Sequence, residues 1–226
     1  MAVNREAYLE IKEQLQAKKV TLVAVSKTKP VADIQELYDQ GHRDFGENYV
    51  QELAEKQLVL PNDIRWHFIG HLQSNKVKYI APFVHMVHGV DSYKLLLEID
   101  KQARKSDRVI NCLLQVHVAQ EETKFGFNEI ELVQVIDAVH KYKHVGELRH
   151  VQVRGLMGMA SLTDDMEQVR REFTYLKMLF DHFATLPGNA AFDTLSMGMS
   201  SDYQLAIEEG SNMVRIGSLL FGARQK

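Results

Sequence analysis

The sequence predicts a closed (β/α)8 barrel of the TIM-barrel class, one domain over residues 1–226 with an extra helix at its N-terminus. Two observations lead there. Eight short apolar runs alternate with helical patterns, and strict β–α alternation implies a parallel sheet. Eight such units in roughly 200 residues match a closed barrel. An open doubly wound sheet is the alternative. It asks for a Gly-rich phosphate turn after the first strand, and that turn here is SKTKP, without glycine.

The predicted strands are VTLVAVS (20–26), RDFGE (43–47), RWHFIG (65–70), VHMVHGV (84–90), VINCLLQVHV (109–118), VRGLMGM (153–159), FDTLSMGM (192–199) and MVRIGS (213–218). The second is the shortest and weakest. Helical patterns fill 31–41, 48–58, 72–82, 92–105, 128–143, 165–184 and 201–210. Several open on a capping residue: Asp91 or Ser92, Asn128, Asp164 and Ser201. The first stretch, MAVNREAYLEIKEQLQAKK, has no apolar signal-peptide core and reads as an amphipathic helix. No Pro/Gly/Ser-rich linker divides the chain, and its four prolines are scattered.

Composition narrows the partners. The 226 residues are 45% hydrophobic and 25% charged, an ordinary globular balance. A net charge of −3 and a pI near 6.4, with no block of like charge, argue against nucleic acid or a membrane surface. No apolar run approaches the roughly 20 residues that span a bilayer. Cys112 is the only cysteine, so no internal disulfide can form, and a reducing, cytoplasmic setting is expected.

In such a barrel the reactive face is the C-terminal end of the strands. The first strand ends in two lysines. If Thr21, Val23 and Val25 face the interior, so does Lys27, at the mouth. Lys29 shares that parity but lies roughly 6.6 Å farther along, and Pro30 holds it extended, toward the rim. An amine among apolar groups has a lowered pKa and is nucleophilic, which Schiff-base formation with a carbonyl needs. The plainer reading makes both lysines solvated strand caps. The last two strand exits favour the first. Gly198, Met199 and Ser200 form a turn before a helix, and Gly217 and Ser218 form another. Loops there bind phosphate in many barrels. Arg215 alternates with Val214 and Ile216 and faces the mouth. A phosphate cradle opposite a poised lysine points to a phosphorylated aldehyde. The histidines near strand ends (67, 85, 88 and 117) show no HExxH spacing, so no metal site is expected. Cys112 and the strand methionines at 157, 159, 197 and 199 read as core and barrel filling.

The motifs AVSKTKP, FGENYVQE, WHFIGHLQSNK, RGLMGM, LSMGMSSD and MVRIGSLLFGAR run in order from residue 24 to 224. Together they resemble the pyridoxal phosphate homeostasis protein family, whose barrel is similar to the N-terminal domain of alanine racemase. The resemblance implies pyridoxal 5′-phosphate held as an internal aldimine on Lys27. It implies Ser200 at the phosphate with backbone help from Met199, Arg215 at the pyridine nitrogen, and amide donors from Gly217 and Ser218. It places Asn48 and His67 on the ring pocket. The implied role is cofactor buffering or delivery in vitamin B6 balance, with pyridoxal phosphate-dependent apoenzymes as recipients, no robust turnover and no catalytic residue. A monomer is expected. The alternative is a racemase-like enzyme. Alanine racemase draws its second base, a tyrosine, from an added β domain. This chain ends eight residues after Ser218, so that domain is not expected. The segment before the first strand is shorter than in many relatives.

Overall fold

The computed structural model describes residues 3–119, 125–144 and 148–223, with the side chains of 143 and 144 set aside. Eight strands close into a parallel barrel in sequence order, β8 pairing back onto β1. The strands are β1 Thr21–Val25, β2 Asp44–Glu47, β3 Arg65–Phe68, β4 Met86–Val90, β5 Ile110–Gln115, β6 Val151–Met157, β7 Thr194–Ser196 and β8 Met213–Ile216. All eight lie where the alternation predicts them. The weak second strand is fully buried along its four residues. The expected exit of the fifth strand continues into 120–124, outside the described residues.

The helices are α1 Arg5–Ala17, α2 Val31–Asp39, α3 Val50–Val59, α4 Val77–Ile80, α5 Tyr93–Lys105, α6 Glu129–His144, α7 Met166–Ala184, α8 Tyr203–Glu208 and α9 Ser218–Phe221. Asn4 caps α1 by accepting from the Ala7 amide, and the helix buries Tyr8, Ile11 and Leu15. Ser92 caps α5, accepting from the Leu95 amide. Asn128 and Glu131 cap α6 reciprocally. Two caps fall one residue later than predicted. Asp165, not Asp164, takes the Glu167 and Gln168 amides, and α8 opens at Asp202. The pattern over 72–82 yields only a 3-10 turn (Ser74–Lys76) and the one-turn α4. The final turn, α9, is absent from the sequence expectation because Gly217 ends β8 two residues early.

Two apolar layers result. The larger lies between strands and helices and includes Leu22, Ala24, Leu195 and Met197. The smaller fills the barrel with Val23, Met86, Leu113, Met157 and Met213, with Met159 against it. Parity thus sends Met157 inward as expected and Met197 outward, into the helix layer.

Candidate functional site

The mouth of the barrel holds a cavity of about 440 Å3, within the range of small-molecule sites. Its wall brings together Lys27, Asn48, Met199, Ser200, Arg215, Gly217 and Ser218. Seven of the eight residues expected at the site therefore converge there, from β1, β2, β7 and β8.

Lys27 sits at the centre of a turn. The Lys29 amide donates to Ser26 O at 3.0 Å, and Thr28 has φ +62°. A β-branched residue in the left-handed region is strained by about 1–3 kcal/mol. The Thr28 amide is held there by Glu52 Oε1 at 2.6 Å. Behind the turn, Ser26 Oγ donates to Glu47 Oε1 at 2.7 Å. Lys56 Nζ donates to Ser26 O, Glu47 Oε1 and Glu52 Oε1 at 2.8, 2.7 and 2.6 Å. Ser26 points outward to this cluster, so the alternation turns Lys27 inward. Lys29 differs from it. Its ammonium donates to Phe221 O at 2.7 Å, Gly222 O at 3.1 Å and Ala223 O at 3.4 Å, tying the turn to the end of α9.

Opposite stand the two predicted turns. Gly198 has φ +94°, and a Cβ there would meet Ala206 Cβ at 2.6 Å, so the glycine lets α8 pack under β7. Ser200 Oγ accepts from the Gly217 amide at 3.2 Å and joins the turns. The Met199 amide donates to Asp202 Oδ1 at 2.6 Å. Both of these expected anion donors are thus committed within the protein. The Ser200 hydroxyl hydrogen and the amides of Ser218 and Leu219, which have no partner inside α9, remain for a ligand. Among the described residues, Asn48 Oδ1 is buried without a hydrogen-bond partner and asks for a donor.

Arg215 lies at the cavity floor, 4% exposed. Its Nη1 donates to Ser196 O at 2.9 Å and Ser196 Oγ at 2.7 Å, and its Nη2 donates to Gly158 O at 3.0 Å. These bonds use three of its five N–H groups. Burial pushes its pKa down to about 10, so it stays cationic at neutral pH. The Asp202 carboxylate attracts it without outweighing burial, and a buried cation of this kind favours an anion or a lone pair.

His67 is the exception. It is 1% exposed but absent from the cavity wall. Ile69, two residues farther along the chain, lines the cavity instead. His67 faces the interior as its parity requires, one pleat below the mouth. Its Nδ1 lies 2.8 Å from His88 Nε2 and its Nε2 lies 3.1 Å from Asp44 Oδ1. No sequence motif marked this pairing. Among the described residues no cluster of three or more His, Cys, Asp or Glu is arranged to hold a metal.

Burial also lowers the pKa of His42 and of His85 to about 4, and that of His88 well below the usual value. These rings are neutral when folded and protonate near pH 6.5 when unfolded. Stability is therefore full above about pH 6.5 and falls as pH drops toward about 4, by up to ~1.4 kcal/mol per pH unit for each ring. Denaturant unfolding as a function of pH checks this. His42→Phe, which keeps the contacts to Tyr8 and Phe45, should flatten the slope. An unchanged slope would contradict the assignment.

Comparisons with known proteins bear on the family and the fold. The family profile described as alanine racemase, N-terminal domain, matches residues 5–225. The pyridoxal phosphate homeostasis protein of Pasteurella multocida is 40% identical over 210 residues, 91% of this chain and 87% of that protein. The protein of the same name from Aquifex aeolicus is 42% identical over 205 residues, 90% of this chain and 87% of its own. Among solved structures, PipY of Synechococcus elongatus with PLP bound superposes with a TM-score of 0.83 at 34% identity, covering 96% of this chain and 99% of that one. Alanine racemase of Clostridium difficile shares the fold alone, with a TM-score of 0.75 at 14% identity over 98% of this chain and 57% of that one. The chain belongs to the alanine racemase N-terminal domain family and, within it, to the pyridoxal phosphate homeostasis proteins.

Proposed function

We propose that the cavity binds pyridoxal 5′-phosphate covalently through Lys27, and that the chain serves cofactor homeostasis as a buffer or carrier without robust turnover. The observation that carries this is the convergence on one cavity of an amine, a buried cation and two joined turns with donors to spare. The relatives' shared name and the PLP-bound PipY structure support it. When bound, the cofactor supplies an electrophilic aldehyde carbon and a phosphate dianion. Lys27 Nζ is the nucleophile. The Ser200 hydroxyl and the Ser218 and Leu219 amides hold the phosphate, with the positive end of the turn behind them. The two uncommitted N–H groups of Arg215 serve the pyridine nitrogen, which a cationic donor keeps unprotonated. Asn48 Oδ1 accepts from a polar group on the ring.

The same wall supports the carrier reading over the racemase one. Among the described residues lining the cavity, none is a carboxylate, histidine or tyrosine, and two-base racemisation needs, besides the lysine, a second base on the opposite face. Apoenzymes that use pyridoxal phosphate are the recipients this role implies, and the cytoplasm is its setting. The test is turnover. Purified protein loaded with cofactor is expected to convert no member of an amino-acid panel at a steady rate. Sustained conversion, lost in Lys27→Ala, would establish the racemase-like alternative instead.

Arg215→Met separates binding from folding. It removes a buried charge and takes one donor from Gly158 O and one from Ser196 O, which keeps the Gly158 amide at 3.1 Å; these effects offset one another, so stability should change by less than about 2 kcal/mol. Affinity for pyridoxal 5′-phosphate should fall about tenfold or more. Spectral titration beside urea unfolding measures both, and unchanged affinity would remove Arg215 from the site.

A further inference from the structure

Below the cavity, five side chains from five strands form one hydrogen-bonded line through the barrel. Arg215 Nη1 on β8 donates to Ser196 Oγ on β7 at 2.7 Å. Ser196 Oγ lies 3.3 Å from His88 Nδ1 on β4. His88 Nε2 lies 2.8 Å from His67 Nδ1 on β3, and His67 Nε2 lies 3.1 Å from Asp44 Oδ1 on β2. Arg65 pairs with Asp44 at the far end. Ser196 and His88 are fully buried and His67 is 1% exposed.

The direction of this line follows from its ends. A guanidinium only donates, so the Ser196 hydroxyl keeps its own hydrogen to give. Burial alone would raise the pKa of Asp44, but Arg65 and His67 outweigh it and hold the carboxyl ionised. An ionised carboxylate only accepts, so His67 Nε2 carries a hydrogen. If His67 is neutral, its Nδ1 accepts, His88 Nε2 must donate, and His88 Nδ1 accepts from Ser196. Every hydrogen then points from Arg215 toward Asp44. The reverse order needs an imidazolium at His67. That would bury another cation in the barrel that already holds Arg215, beside an Asp44 already paired with Arg65, and with His85 packed 5.4 Å away.

We propose that Ser196, His88 and His67 are positioning residues for the cofactor site: their one-way hydrogen-bond line fixes the Arg215 guanidinium at the cavity floor and locks both rings as neutral Nε2–H tautomers. This rests on reading the cavity as a pyridoxal phosphate site, so its test has two separate arms. The first uses the unmutated protein without cofactor. Nitrogen-15 NMR of the imidazoles should show both rings neutral with hydrogen on Nε2. A hydrogen on Nδ1 of either ring, in a neutral or a charged form, overturns the proposal. The second uses variants. His88→Leu should lower affinity for pyridoxal 5′-phosphate about tenfold and shift the absorption of the bound cofactor, while His88→Gln, whose amide accepts from Ser196 and donates to His67, should return to within about threefold. Unchanged affinity and spectrum in His88→Leu overturns it as well. If the unmutated protein binds no pyridoxal 5′-phosphate, the cavity reading fails and the NMR arm still decides the line.

Discussion

Lys27→Ala should abolish covalent capture of pyridoxal 5′-phosphate and leave only a loose complex. Removing the amine takes away the one bond that the cradle cannot replace. The Ser200 hydroxyl, the α9 amides and Arg215 stay in place, so binding persists with affinity lowered by about 100-fold or more, some 2.7 kcal/mol. Lys29 is not a ready substitute. Its three N–H groups already hold Phe221, Gly222 and Ala223 carbonyls, so service as a second, passing amine would first require release of the end of α9. The fold should tolerate the change, since Lys27 is only half-buried, and unfolding should move by less than about 1 kcal/mol. Spectral titration of both proteins checks this. A variant that keeps the full visible band of the bound cofactor would show that another lysine holds it.

The second large effect is on stability. Lys56→Met leaves Glu47 buried without its cation. Glu47 is fully buried, its Oε2 has no hydrogen-bond partner, and burial already raises its pKa despite Lys56. Removing one partner of such a pair costs about 3–5 kcal/mol. In the variant, Glu47 is forced further toward its neutral form. A carboxyl whose folded pKa is raised is best tolerated below its unfolded pKa, so the loss should be greatest above pH 7 and shrink toward pH 5. Glu47→Gln combined with Lys56→Met should recover most of the stability. Urea unfolding at both pH values measures this, and a loss below about 1 kcal/mol at pH 7 would show that the pair is not structural. The same cluster holds Ser26 and the strained Thr28, so this damage should also loosen Lys27.

The barrel was legible because alternation and strand count are properties of the chain itself. Lys27 and Arg215 were legible too, since parity along a strand sets which face a side chain takes. Depth was not. His67 has the predicted face, yet it stands one pleat beneath the cavity, because motif order carries no record of where along a strand the mouth begins. The cradle was legible as two glycine turns, but not the competition for its amides. Asp202 takes the Met199 amide and Ser200 takes that of Gly217, which only the folded turns reveal. The His67–His88 line joins strands 21 residues apart in sequence and leaves no local pattern.

The central claim is one covalent bond, and borohydride reduction of the protein incubated with pyridoxal 5′-phosphate tests it most directly. Peptide mass mapping should find the reduced pyridoxyl group on Lys27. A label confined to Lys29, spread over surface lysines, or absent would contradict the account.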